Sequence, residues 1–168
     1  MKRLLPLLAL PFLGALPGCG LHPLYAGGGS GVVANALAGV EVAAIEGKGG
    51  WLMANALRDR LGAGGGTPRY RLDVRLDDQI AGLGVRRDDS VARERRTLRA
   101  RYQLIDLATS AVLVDTTAGS DAGIDVVGSE YATIAAENTA LERLSQIVAD
   151  QIVGRVALYA RRQDAAVR

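Results

Sequence analysis

Between residues 69 and 76 the chain alternates strictly: Tyr70, Leu72, Val74 and Leu76 are apolar, while Arg69, Arg71, Asp73 and Arg75 are charged. A period of two puts the two sets on opposite sides of an extended backbone, so the pattern predicts a half-buried strand with one polar face. Arg87-Asp88-Asp89-Ser90 is a turn signal. The same alternation resumes from about Ala92 to Asp106, with Leu98, Ala100, Tyr102 and Leu104 inward and Arg93, Arg95, Thr97, Arg99 and Arg101 outward. A tight connection at Leu107-Ala108-Thr109-Ser110 leads to another strand, which starts at Val112 and ends in the polar stretch before Gly128. Three strands this closely spaced favour an antiparallel meander.

Elsewhere the spacing shifts to three and four. Met53, Ala56, Leu57 and Leu61 predict a helix over Gly50 to Leu61, with Gly62 as its stop. A short apolar run from Val40 to Ile45 before it predicts a further strand. The longest element starts after Ser129, a suitable N-cap, with Glu130 placed to favour the helix dipole. Ile134, Leu141, Leu144, Val148, Ile152, Val156 and Tyr159 form its inward stripe, and Arg161 and Arg162 suit its end. The order strand, helix, three strands, helix predicts an α+β fold. It is a two-layer sandwich with a four-stranded, mostly antiparallel sheet and two helices on one face.

The first residues read differently. Lys2 and Arg3 precede an apolar run from Leu4 to Leu16, too short for the ~20 residues of a spanning helix. This is the layout of a secretory signal peptide. Leu16-Pro17-Gly18 then leads to Cys19, the only cysteine. A lone cysteine at such a cleavage point reads as a lipobox, whose sulfur receives a diacylglycerol and whose new amine is acylated. The plainer reading, a cleaved signal followed by an incidental thiol, leaves an unpaired cysteine in an oxidising compartment. The expected organisation is a signal peptide over 1–18, a lipidated and glycine-rich tether over 19–38, a domain over 39–162 and a tail over 163–168. Cleavage removes eighteen of the 168 residues and leaves 150, enough for one domain with a core of its own.

The formal charge of +2 comes from Lys2 and Arg3; without them eighteen basic residues face eighteen acidic ones. A nearly neutral mature chain gives no indication of a nucleic-acid partner. Charge is nevertheless unevenly placed. Arg69, Arg71, Arg75, Arg93, Arg95, Arg99 and Arg101 fall on the polar side of two strands, whereas 121–150 carries Asp121, Asp125, Glu130, Glu137, Glu142 and Asp150 against Arg143. Guanidinium groups make planar, bidentate contacts with phosphate and carboxylate, so these seven arginines are a candidate surface for an anionic lipid or an acidic partner. The bland alternative is a solvated face with Asp73, Asp77 and Glu94 as interleaved counter-ions. His22 is the only histidine. The chain therefore offers no Ser-His-Asp or Cys-His constellation and no thiolate metal site, and catalysis is not expected. No cofactor is expected beyond covalent lipid on Cys19.

Cys19-Gly20-Leu21-His22-Pro23-Leu24-Tyr25 resembles the mature start of the LptE family of lipopolysaccharide-assembly lipoproteins. Leu57-Arg58-Asp59-Arg60-Leu61, Tyr70-Arg71-Leu72-Asp73-Val74, Arg101-Tyr102-Gln103-Leu104-Ile105-Asp106 and the long final helix are similar to later elements of that family. The resemblance implies a lipid-anchored plug at the periplasmic face of the outer membrane, inside an LptD β-barrel partner. There it would help the barrel fold and help deliver lipopolysaccharide to the outer leaflet. The resemblance also implies the phosphates of lipid A as a ligand for the arginine face. Gly20 agrees with outer-membrane sorting, because it is not the aspartate that commonly retains lipoproteins at the inner membrane. The alternatives are a lipid-anchored adaptor or pilotin of another envelope complex, and a lone lipid carrier, for which so short a chain leaves little cavity.

Overall fold

A computed structural model describes residues 29, 31–62, 67–85 and 91–167. The signal segment, Cys19, the motif through Tyr25 and the turn at 87–90 lie outside the described residues. Seven elements follow one another: α1 Val32–Ala38, β1 Val40–Val42, α2 Gly47–Leu61, β2 Tyr70–Val85, β3 Val91–Asp106, β4 Val112–Asp125 and α3 Glu130–Val167. The strands form one sheet in the order β1-β2-β3-β4. β2, β3 and β4 are the antiparallel meander, but β1 runs parallel to β2, so the sheet is mixed. That parallel pair is joined through α2 as a βαβ unit.

The alternation in β2 and β3 makes one sheet face apolar, and α2 and α3 cover it. Tyr102, Met53, Leu57, Leu72, Leu98, Leu104, Leu144, Val148 and Ile152 are fully buried between the layers. Each large aliphatic side chain so placed contributes about 1.5–3 kcal/mol relative to exposure. The two helices run parallel: Lys48 Nζ donates to Asn138 Oδ1 at 2.7 Å, and twelve residues further along both helices Arg60 Nη2 donates to Asp150 Oδ2 at 3.1 Å. Gly50 is needed where α2 meets the chain leaving β1, because a Cβ there would lie 2.4 Å from the Ile45 carbonyl oxygen.

Four expectations need correction. A third helix, α1, occupies residues read as the end of the tether, and it buries Val33 and Leu37. Its seven residues are too short to show a period. β1 stops at Val42 rather than Ile45. α3 continues to Val167, past Arg161 and Arg162. Ile134, assigned to the inward stripe, is 46% exposed, because the first turns of α3 overhang the part of the sheet that α2 covers. From Leu141 to Val156 the stripe is buried as its spacing requires. Ser129 does occupy the N-cap position, its carbonyl accepting the Thr133 N–H at 3.1 Å.

Candidate functional site

The register places the arginines. Odd-numbered residues of β2 and β3 face away from the helices, so Arg71, Arg75, Arg93, Arg95, Arg99 and Arg101 share the outer face. Arg69 precedes β2 at a bend, with its guanidinium carbon 5.1 Å from the centre of the Tyr70 ring. Arg75 lies directly opposite Arg101, and Asp77 opposite Arg99.

β4 completes the face, and it carries the counter-charge that the sequence pattern assigned elsewhere. Asp115, Asp121 and Asp125 lie on the arginine side of the sheet. Arg93 Nε is 3.0 Å from Asp125 Oδ1, and Arg99 Nη2 is 3.6 Å from Asp121 Oδ1. Arg101 reaches Asp115 through both Nε and Nη2 at 3.2 Å. The hydrogen bonds from Arg101 and then Gln103 hold the Asp115 carboxyl below the usual aspartate range. Arg71 pairs with Asp73 along its own strand at 2.8 Å. The other expected counter-ions do not serve. Asp77 accepts from Gln79, and Glu94 has even parity and therefore lies on the helix side. The outer face is thus a mesh of six arginines and five aspartates rather than an arginine ladder, and Asp121 and Asp125 are not segregated from it.

Gly119 lets this mesh close. It lies opposite Arg99, and a Cβ there would stand 2.5 Å from Arg99 Cδ, 2.6 Å from Nη1 and 2.9 Å from the Leu98 carbonyl oxygen. The guanidinium lies across the bare backbone to reach Asp121. Arg75 and Arg95, like Arg69 at the bend, make no ion pair with any described residue, so on the outer face they are the cations most available to an incoming anion.

One charged residue on the covered side escaped the sequence reading. Arg96 is only 9% exposed. Its Nε lies 2.8 Å from Asp78 Oδ1 and its Nη1 donates to the Glu137 carbonyl at 2.8 Å. The hydrogen bond that Arg96 donates to the Asp78 carboxylate raises the Arg96 pKa further. Both residues have even numbers, in register with the buried Leu72, Val74, Leu98, Ala100 and Tyr102, and that mismatch was the available signal.

Guanidinium groups of this kind suit phosphate or carboxylate, and on the same face Thr97 Oγ1 donates to Asp121 Oδ1 at 2.7 Å. Among the described residues no cluster of His, Cys, Asp and Glu could hold a metal ion, and no helix is long and apolar enough to cross a membrane.

A family model described as lipopolysaccharide-assembly, LptE, matches residues 37–156. No curated protein matches the chain. Among solved structures, a lipoprotein from Caulobacter crescentus superposes with a TM-score of 0.64 at 24% identity, covering 79% of this chain and 98% of that one. Rare lipoprotein B from Shewanella oneidensis gives 0.54 at 11% identity, covering 74% and 98%. A minor lipoprotein from Acinetobacter baumannii gives 0.53 at 14% identity, covering 71% and 91%. At such identities these likenesses establish a shared fold.

Proposed function

The chain belongs to the LptE family of lipopolysaccharide-assembly lipoproteins, and from that premise we propose that it is an outer-membrane lipoprotein seated as a plug in an LptD-type β-barrel. The observation that carries this reading is the family match, which begins in α1, takes in all four strands and ends within α3. Acyl chains on Cys19 hold the domain at the periplasmic face of the membrane; at ~0.8 kcal/mol per buried methylene, several chains anchor it stably. The domain works by binding, without catalysis: it assists assembly of the barrel and the passage of lipopolysaccharide to the outer leaflet.

The arginine side of the sheet is the surface proposed to meet anionic groups, either lipid A phosphates or acidic residues on the barrel wall. Arg75 and Arg95 lead, because binding there breaks no ion pair with a described residue. Arg93, Arg99 and Arg101 would have to share or exchange an aspartate, a small cost because these pairs are solvent-screened.

The test is to express the tagged precursor in its native host, solubilise the outer membrane in mild detergent and identify what co-purifies. A stoichiometric LptD barrel is the expected result; a domain isolated without a barrel, or with a different envelope complex, overturns the reading. With the barrel present, Arg75→Glu/Arg95→Glu is expected to weaken retention of lipopolysaccharide or of the barrel.

A further inference from the structure

The two edges of the sheet are treated differently. β4 is closed by α3: Gln151 Oε1 accepts the Gly119 N–H at 3.2 Å, Gln151 Nε2 donates to the Gly119 carbonyl at 3.3 Å, and Arg155 Nη1 donates to Thr116 Oγ1 at 3.4 Å. Among the described residues β2 has no such cover. β1 pairs with it only from Tyr70 to Leu72, and the last bond between them runs from the Ala43 N–H to the Leu72 carbonyl at 3.1 Å. β2 then continues to Val85 with β3 on its other side.

Even-numbered residues of β2 turn their backbone groups toward β1, as the bonds of Tyr70 and Leu72 establish. The N–H and C=O groups of Val74, Leu76, Asp78, Ile80 and Gly82 therefore point outward at the open edge, and no described residue pairs with them. Where β1 peels away, a cleft of 690 Å³ opens between 43–46 and 73–76, with Arg101 and Gln103 at its side. The edge carries charge at Arg75, Asp77 and the inward-facing Asp78, but β2 contains neither proline nor lysine to block pairing.

We infer that this edge accepts an extended segment of another protein as a fifth strand, with alternating apolar and polar residues and a carboxylate opposite Arg75. The side chains flanking the edge define that segment. On the helix side Leu76 is half-buried and Ile80 is 43% exposed, so the incoming strand presents apolar residues there. On the outer side Arg75 has no ionic partner among the described residues, whereas Arg101 opposite it has Asp115, so an acidic residue supplies Arg75 with the counter-charge it lacks. Backbone pairing supplies the affinity, and the alternating side chains supply the choice of partner. The inference is independent of the barrel reading, because it rests on the edge and not on the family.

The test uses the full lipidated chain, freed of partners in mild detergent, and synthetic eight-residue peptides of alternating valine and threonine. One peptide carries a central aspartate on the polar side, one an arginine in its place, and one the aspartate together with N-methylated amides on its pairing edge. The aspartate peptide is expected to slow hydrogen exchange at the Leu76, Asp78 and Ile80 amides at least about tenfold. The N-methylated peptide should give no protection, and Arg75→Glu should transfer the preference to the arginine peptide. No protection at these amides, or equal protection by the N-methylated peptide, overturns the inference. Protection that rises with protein concentration in the absence of peptide makes a second copy of this chain the occupant, and overturns the acidic partner.

Discussion

Arg96 and Asp78 meet on the helix-covered side of the sheet, Nε to Oδ1 at 2.8 Å and Nη2 to Oδ2 at 2.5 Å, as diagonal neighbours on β3 and β2. Arg96 also donates to the Glu137 carbonyl, so the pair ties the overhanging first turns of α3 to the far half of the hairpin. Arg96→Met leaves Asp78 without its cation and frees that end of α3. Breaking a buried pair costs about 3–5 kcal/mol; because the Asp78 side chain keeps 29% of its exposure, about 2–3 kcal/mol is expected here. Urea unfolding measures it, and Asp78→Leu added to Arg96→Met should recover part of the loss.

Gly119→Ala should destabilise the fold by about 1–3 kcal/mol, as overpacking does, because the Leu98 carbonyl is backbone and cannot swing aside. Gly123→Ala, on the same strand and face, meets nothing within 4 Å and serves as the control. It should be neutral or stabilising, by at most about 1 kcal/mol. Thermal unfolding of the two variants side by side separates a required glycine from an incidental one.

The alternation in β2 and β3 made the sheet legible, and the spacing from Leu141 to Val156 did the same for the buried part of α3. Even the division of the arginines between odd positions was readable, since parity alone decides the face. What the chain concealed were matters of partnership. Which aspartates neutralise which arginines depends on the register of β4, a strand whose own alternation is weak because Thr116, Gly119 and Ser120 contribute little contrast. The parallel pairing of β1 was hidden because three residues carry too little pattern to announce a direction. Arg96 was passed over as one more cation in an arginine-rich strand, although its even position already put it among Leu98, Ala100 and Tyr102.

Tyr102 is fully buried, and its hydroxyl has no hydrogen-bond partner among the described residues; burial raises its pKa, with the charge of Arg155 opposing. A buried hydroxyl left unpaired costs about 1–3 kcal/mol, and phenylalanine keeps the ring without that cost. Tyr102→Phe is therefore expected to stabilise the domain by about 1 kcal/mol, read as a raised urea midpoint at unchanged slope. A clear loss would mean that the hydroxyl is satisfied in solution.

Asp150 and Asp115 set an acid limb on the stability of the domain. The hydrogen bond from Arg60 lowers the Asp150 carboxyl, and that from Arg101 lowers Asp115. A carboxyl whose folded pKa lies below its unfolded value stabilises the fold above the unfolded value. That contribution is lost as the pH falls through the folded one. Both contributions are therefore complete at neutral pH and vanish below the ordinary aspartate range. Asp150→Asn removes the Arg60 contribution at every pH, so wild type and variant should differ at pH 7 and converge in acid. The Asp150 side chain is largely exposed, which limits the gap at neutral pH to about 1 kcal/mol or less, and high salt should narrow it. A gap that widened toward low pH would mean that the carboxyl is not held ionised by Arg60.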